Sequence, residues 1–137
     1  SWPDPTSERR MDTRTIGTRG EDLAATYLEQ QGYRILARQY RFERAEIDLV
    51  CFEPATRPED GGEIVFVEVK TRRGLGFGRP EEAVTPEKQR HLIRAARAYL
   101  YEHHLQRARC RFDVIAIVLH DDRPPEIEHF KDAFWAG

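Results

Sequence analysis

The fold of this chain is decided by the stretch EIVFVEVKT at residues 63–71. Side chains alternate between the two faces of a β-strand, so the three valines of this stretch point to one face. Glu68 and Lys70 share the other face with Ile64 and Phe66. On this face the apolar residues come first and the two charged residues come last. The pattern therefore predicts a buried strand with polar side chains at its C-terminal end.

On either side of this strand, the pattern of helix caps and strand-like residues predicts a mixed α/β protein with the element order αβββαββ. Thr18 and Glu21 have the spacing of a capping box, and Gly32 suits the end of the helix that follows. Thr85 and Pro86 have the pattern of an N-cap followed by proline in the first helical turn. The predicted helices are Arg19 to Gln31 and a second from Thr85 to about His104. The predicted strands are Tyr33 to Tyr40, Glu46 to Glu53, Glu63 to Thr71, Arg111 to Leu119, and an edge strand from Glu126 to Phe130, with Phe134 and Trp135 packed on the core.

The length of 137 residues predicts one domain. Residues 1–15 are charged and proline-rich with few apolar groups, so we expect a flexible N-terminal tail followed by a single domain over residues 16–137. The longest apolar runs are too short to cross a bilayer, and the first residues do not have the apolar stretch of a secretory signal. We therefore expect no membrane association and a cytoplasmic protein, in which Cys51 and Cys110 are buried reduced thiols.

Charge is unevenly distributed along the chain, although the net charge is only -2. Residues 41–68 carry a net charge of -5, and residues 69–97 carry +5. An acidic block can bind cations and a basic block can bind phosphates, which is the combination that a metal-dependent phosphodiesterase needs. The same pattern also occurs on ordinary charged protein surfaces.

The acidic residues Glu46 and Asp48 share one face of the strand that precedes residues 63–71. Antiparallel pairing of the two strands would set Asp48 beside Glu68. Two facing carboxylates repel each other unless a cation lies between them. Magnesium suits such a place because it accepts carboxylate and backbone oxygens and keeps water ligands.

Asp48, a spacing of about twenty residues, and then Glu68-x-Lys70 in this element order resemble the PD-(D/E)-x-K nuclease superfamily. More closely, residues 17–134 resemble the YraN-like family of predicted endonucleases, which is related in pattern to Holliday junction resolvases. The matching motifs are Gly17-x-x-Gly20-Glu21, Glu46-Ile47-Asp48, Phe66-Val67-Glu68-Val69-Lys70-x-Arg72, Phe77-Gly78, Lys88 and Arg111-Phe112-Asp113-Val114. Ile47 stands where the superfamily has proline, and Ala45 stands where the family has glycine.

The resemblance implies a restriction-endonuclease-like αβββαβ core, with a mixed central sheet flanked by helices, and a magnesium- or manganese-dependent endonuclease acting on DNA, branched DNA included. It implies Asp48, Glu68 and the Val69 carbonyl as metal ligands, and Glu21 and Lys70 as further catalytic groups. Lys70 is one of only 3 lysines among 22 basic residues, which is consistent with a chemical need for a compact, titratable amine.

The basic residues Arg72, Arg73, Arg79 and Lys88 are expected to contact the DNA backbone. Glycines in the segment from Arg72 to Val84 permit close approach, and Lys88 lies at a helix N-terminus, which favours phosphate. A homodimer is compatible with this function.

Simpler structural roles remain open for several of these residues. Glu21 is also a capping-box partner, Glu68 and Lys70 could be a solvated strand pair, and Asp48 could be a turn residue. Lys88 could be an ordinary residue of a first helical turn, Asp113 could cap a helix or pair with an arginine, and the histidines are expected to lie at the surface or at an edge. Two other functions remain open, a nucleic-acid-binding module that does not cleave and a scaffold for a protein partner.

Overall fold

The computed structural model describes residues 13–73 and 84–134. In this part of the chain, two helices and five strands are joined in the predicted order αβββαββ. They are α1 (Thr13–Gln30), β1 (Arg34–Phe42), β2 (Ala45–Pro54), β3 (Gly62–Arg73), α2 (Pro86–Glu102), β4 (Cys110–Leu119) and β5 (Glu126–Phe134), with one turn of 3-10 helix at Pro58–Asp60. No helix among the described residues is long and apolar enough to cross a membrane.

The strands form one mixed sheet in the spatial order β1-β2-β3-β4-β5. Only β3 and β4 pair in parallel, and the other neighbours are antiparallel. A parallel pair needs a long crossover, and α2 lies in the connection between these two strands. The predicted fold class is confirmed, because this order and this mixed sheet form a restriction-endonuclease-like α/β core.

The sheet has a hydrophobic core on each face. Val65 and Val67 of β3 pack with Leu28 of α1 on one face. Ile64 and Phe66 pack with α2 on the other face. The alternation expected for residues 63–71 thus holds, and the two helices cover opposite faces of the sheet.

Helix α1 begins at Thr13, five residues before the predicted N-cap at Thr18. The prediction was wrong here because Ile16 packs against the core on the α1 face, and its burial favours further helical residues toward the N-terminus. Residues 13–15 of the expected tail are therefore helical, and residues 1–12 lie outside the described residues. The helix ends at Gln30, one residue before the predicted end. Gly32 follows it as predicted, with a φ of 93°, and the Tyr33 N–H donates to the Leu28 carbonyl at 2.9 Å.

Helix α2 begins as predicted. The Thr85 hydroxyl accepts a hydrogen bond from the Lys88 backbone N–H at 3.2 Å, and Pro86 occupies the first turn. The helix ends at Glu102, two residues before the predicted end. This start fixes Lys88 in the first turn of α2, on the side of the sheet that Phe66 faces.

Strand β5 continues to Phe134, four residues beyond its predicted end. Phe134 stacks on Phe112 with ring centroids 4.7 Å apart, as expected for a C-terminal aromatic residue packed on the core. Trp135 lies outside the described residues. Both cysteines are free thiols, and Cys51 is fully buried whereas Cys110 is half-buried.

Candidate metal centre

Asp48 lies where β2 and β3 diverge. The last antiparallel pair between the strands is Leu49 with Val67. One residue before Leu49, the strands are joined by the Asp48 side chain, whose Oδ2 accepts a hydrogen bond from the Val69 N–H at 2.7 Å. Asp48 is therefore held beside the segment that carries Glu68 and Lys70, as the strand pattern predicted.

Three carboxylates from two elements meet at this fork. Glu21 of α1, together with Glu46 and Asp48 of β2, can place one oxygen each within 4.8 Å of one another. All three side chains are half-buried. Glu21 Oε2 accepts from Gln39 Nε2 at 3.5 Å, whereas its buried Oε1 has no hydrogen-bond partner among the described residues. We call these three residues the acidic trio.

Glu68 lies next to the acidic trio and contacts two lysines. Its Oε1 accepts from Lys88 Nζ at 2.9 Å and is 3.6 Å from Lys70 Nζ. The Glu68 side chain is only 9% exposed. Its buried Oε2 has no hydrogen-bond partner among the described residues. The site thus has two buried carboxylate oxygens, one on Glu68 and one on Glu21, that are removed from water without a donor in the described chain.

The electrostatics of the site disfavour its negative charge. Burial, followed by the charge of Glu68, raises the pKa of Asp48 to about 8, even though the Val69 N–H favours the ionised form. Burial also raises the pKa of Glu21. Burial and contact with the Lys88 ammonium lower the pKa of Lys70. Carboxylates that repel one another in a partly dry site are stabilised by a cation between them.

These residues fit a hard divalent cation. Magnesium and manganese prefer oxygen ligands, and the fork offers the three clustered carboxylates of the acidic trio, with Glu68 near Asp48 but outside that cluster. Two oxygens of these carboxylates are buried without a donor among the described residues, which is the arrangement that a bound cation would satisfy. A role for the Val69 carbonyl, which the family resemblance implied, stays a prediction.

Of the four catalytic residues that the resemblance implied, Glu21 and Asp48 are in the acidic trio. Glu68 affects the pKa of Asp48 but is outside the trio, and Lys70 lies beside Glu68. The structure adds Glu46, which the sequence placed on the face of Asp48 but not in the ligand set. The period-two spacing of Glu46 and Asp48 was the available signal. The reach of Glu21 to both of them follows only from how α1 packs on the sheet.

The predicted DNA-contacting residues lie in different environments. Lys88 is in the site itself, bound to Glu68. Arg72 and Arg73 are exposed at the end of β3, where Arg72 Nη1 donates to the Thr71 carbonyl at 3.2 Å and Arg73 pairs with Asp121. Arg79 and the glycine-rich segment around it lie outside the described residues.

A second cluster of charged residues lies on β4, and its hydrogen bonds give it a structural role. Asp113 is fully buried and accepts from Arg111 Nε at 2.9 Å, from His129 Nε2 at 2.7 Å and from the Asp132 N–H at 3.0 Å. Although burial raises the pKa of Asp113, the hydrogen bonds from His129 and Arg111 hold it below its usual value. Of the two structural roles open for Asp113, the pairing with an arginine is the one observed. Each of its donors stabilises a charge that would otherwise be unfavourable in the core.

Fold and site together define an α/β protein with a restriction-endonuclease-like core and a cluster of carboxylates and lysines at the fork between two central strands. A family model described as "Uncharacterised protein family UPF0102" matches residues 20–117. The chain belongs to this family, which is the YraN-like family that the sequence motifs resembled.

Relatives in this family cover almost the whole chain. A UPF0102 protein from Pelobacter propionicus is 48% identical over 130 residues, which are 95% of this chain and 89% of the relative. Another from Chlorobium phaeobacteroides is 46% identical over 130 residues, covering 91% and 97%. A third from Geobacter sulfurreducens is 45% identical over 130 residues, covering 95% and 96%.

Proposed function

We propose that this protein is a divalent-metal-dependent endonuclease that hydrolyses phosphodiester bonds in DNA. The observation that carries the proposal is the fork between β2 and β3, where the acidic trio meets, Glu68 is close enough to raise the pKa of Asp48, and Lys70 lies beside Glu68. Two buried carboxylate oxygens there have no donor among the described residues. Metal ligands and a lysine at one strand end are the groups that phosphodiester hydrolysis by a metal-activated water requires.

The proposed chemistry divides between a metal ion and the side chains of this site. A magnesium or manganese ion held by the acidic trio and Glu68 would supply a water of lowered pKa and neutralise charge on the scissile phosphate. Water oxygen forms the new bond to phosphorus, the bond to the leaving oxygen breaks, and the leaving oxygen takes up a proton. The side chains orient the reacting groups around this exchange.

Lys70 is the residue that we assign to the attacking water. Its Nζ is 3.6 Å from Glu68 Oε1, so it lies beside a proposed metal ligand. Because the pKa of Lys70 is lowered, its ammonium is a better proton donor than that of an exposed lysine, and a larger fraction of its amine is neutral at a given pH. Lys70 can therefore orient the water or accept its proton.

The substrate class follows from charge and from the family resemblance. The basic residues that follow Lys70 along the chain offer contacts to a polyanionic backbone, beginning with Arg72 and Arg73 at the end of β3. The likeness of the motifs to Holliday junction resolvases makes branched DNA, such as recombination and repair intermediates, the substrate to test first.

The test is a cleavage assay on single-stranded, duplex, flap and four-way-junction DNA with magnesium or manganese. We expect wild type to cleave at least one substrate only when the metal is present. Lys70→Met keeps most of the aliphatic stem, so it should cost within about 1 kcal/mol of stability, yet lower cleavage by roughly 100-fold or more. Lys70→Arg keeps the charge, so retained activity would indicate that charge suffices, and lost activity that a compact or titratable amine is needed.

Lys131→Met is the matched control, because Lys131 is an exposed lysine on β5 that lies 3.7 Å from Glu53 at the other charged cluster. It should cleave like wild type. If wild type cleaves none of the substrates, or Lys70→Met cleaves as fast as wild type, the nuclease proposal fails and a non-cleaving binding module replaces it.

A further inference from the structure

Lys88 contacts Glu68 from a position that it can leave. Its Nζ donates to Glu68 Oε1 at 2.9 Å, but its side chain is 40% exposed, compared with 17% for Lys70. Lys88 comes from the first turn of α2, whereas Lys70 is on the same strand as Glu68. Of the two cations on Glu68, Lys88 is therefore the one whose charged end can turn toward solvent without any change in the sheet.

A cavity adjoins Lys88 between the start of β2 and the first turns of α2. It has a volume of about 270 Å³, and its lining includes Arg44, Glu46, Thr85, Lys88 and His91. Glu46 belongs to the acidic trio, so the cavity shares one residue with the candidate metal centre. Arg44, Lys88 and His91 give it groups that can carry positive charge, against the carboxylates of Glu46 and Glu87.

A cation bound by Glu68 would compete with Lys88. Glu68 is nine-tenths buried, its Oε1 is engaged by Lys88, and its Oε2 has no donor among the described residues. A divalent ion and an ammonium on the same buried carboxylate repel each other strongly, because little water screens the two charges. The exposed partner is then the one that is displaced.

We infer that Lys88 is an exchangeable cation: it holds Glu68 while no divalent ion is bound, and it turns into the adjoining cavity to bind a DNA backbone phosphate when a divalent ion engages Glu68. This inference rests on the proposed function and deepens it. The cavity lies beside the acidic trio, so a phosphate there would be next to the proposed reaction centre. Metal binding and DNA binding would each favour the other, because equilibrium coupling between two sites is reciprocal.

The test measures how a divalent ion changes DNA affinity in wild type and in Lys88→Met. The affinity of a short fluorescein-labelled DNA duplex is measured by fluorescence anisotropy, once with EDTA and once with Ca²⁺, which takes the same kind of oxygen ligands as Mg²⁺. Arg90→Met is the matched control, because Arg90 is an exposed cation on the same helix. The measured quantity is the ratio of the dissociation constants in EDTA and in Ca²⁺.

We expect Ca²⁺ to tighten DNA binding by wild type and by Arg90→Met to a similar extent, by about fivefold or more. In Lys88→Met this ratio should fall toward one, because the variant loses more DNA affinity in Ca²⁺ than in EDTA. Equal weakening in both conditions would overturn the exchange, since Lys88 would then be a permanent DNA contact. Unchanged affinity in both conditions would overturn it too, since Lys88 would then stay on Glu68.

Calorimetric titration of Ca²⁺ without DNA separates this inference from the proposed function. Lys88→Met should bind Ca²⁺ more tightly than wild type, because the competing ammonium is gone, and Arg90→Met should bind it as wild type does. If Lys88→Met binds Ca²⁺ with the same affinity as wild type, only the inferred exchange of Lys88 is overturned. If wild type does not bind the ion at all, the exchange and the metal-dependent function fail together.

Discussion

Asp48 combines a fixed position with an unfavourable charge. The Val69 N–H holds its Oδ2 at 2.7 Å, while burial and the nearby Glu68 raise its pKa to about 8. The carboxyl group of an unfolded chain ionises near pH 4. Between these two values the folded protein without metal binds more protons than the unfolded chain, so its stability falls as pH rises and levels off above about pH 8.

Asp48→Asn removes this titration and imitates the protonated form. We expect its unfolding free energy, relative to that of wild type in EDTA, to increase steadily from about pH 5 to about pH 8. Urea unfolding followed by circular dichroism at several pH values measures it. Asp122→Asn, which changes an exposed carboxylate, should show a difference that does not depend on pH. A difference that is flat for Asp48→Asn would mean that the carboxyl group is well solvated.

At the scale of residues, strand alternation was sufficient to predict that Asp48, Glu68 and Lys70 converge, because two neighbouring strands fix where these side chains point. Two other contacts could not be predicted in this way. Glu21 reaches Glu46 and Asp48 from helix α1. Lys88 reaches Glu68 from helix α2, which lies in the crossover between β3 and β4. Such contacts depend on how helices pack on a sheet, and local spacing does not determine that.

At the scale of elements, α1 approaches β3 closely at Gly20. A Cβ atom on Gly20 would collide with Thr71 Oγ1 and would lie 2.9 Å from Thr71 Cβ. Glu21 is the next residue, so this close approach brings its carboxylate to the strand fork. The sequence predicted a capping box around Gly20, whereas the structure shows that glycine is needed there for the packing of the helix on the sheet.

Gly20→Ala should destabilise the protein by about 1–3 kcal/mol, since the helix must move away from Thr71. Gly17→Ala is a control in the same helix, because a Cβ at Gly17 meets nothing within 4 Å. That change should stabilise the helix by roughly 0.5–1 kcal/mol, as expected from helix propensity alone. Thermal unfolding of the two variants tests the comparison, and a stabilised Gly20→Ala would contradict the close packing.

At the scale of the whole molecule, the fork joins groups from the two faces of the sheet. Helix α1 on one face supplies Glu21, and helix α2 on the other supplies Lys88. Beyond the last β2–β3 pair, Leu49 with Val67, side chains from both helices can reach Asp48, and both Glu21 and Lys88 influence its pKa.

The order of elements and the family were predictable from the sequence, because the strand patterns, the caps of α2 and the motifs are local features. The start of α1 was not predictable, because it depends on the burial of Ile16 against the folded sheet.

The proposed nuclease activity depends on a divalent ion bound by the carboxylates at this fork. Calorimetric titration of wild type with magnesium or manganese tests this binding most directly, against the Asp48→Ala, Glu68→Ala double variant and a control with Glu59→Ala and Asp122→Ala at exposed positions. We expect saturable binding by wild type and by the control, and no saturable binding by the Asp48, Glu68 variant. Equal binding by wild type and the Asp48, Glu68 variant would contradict this expectation.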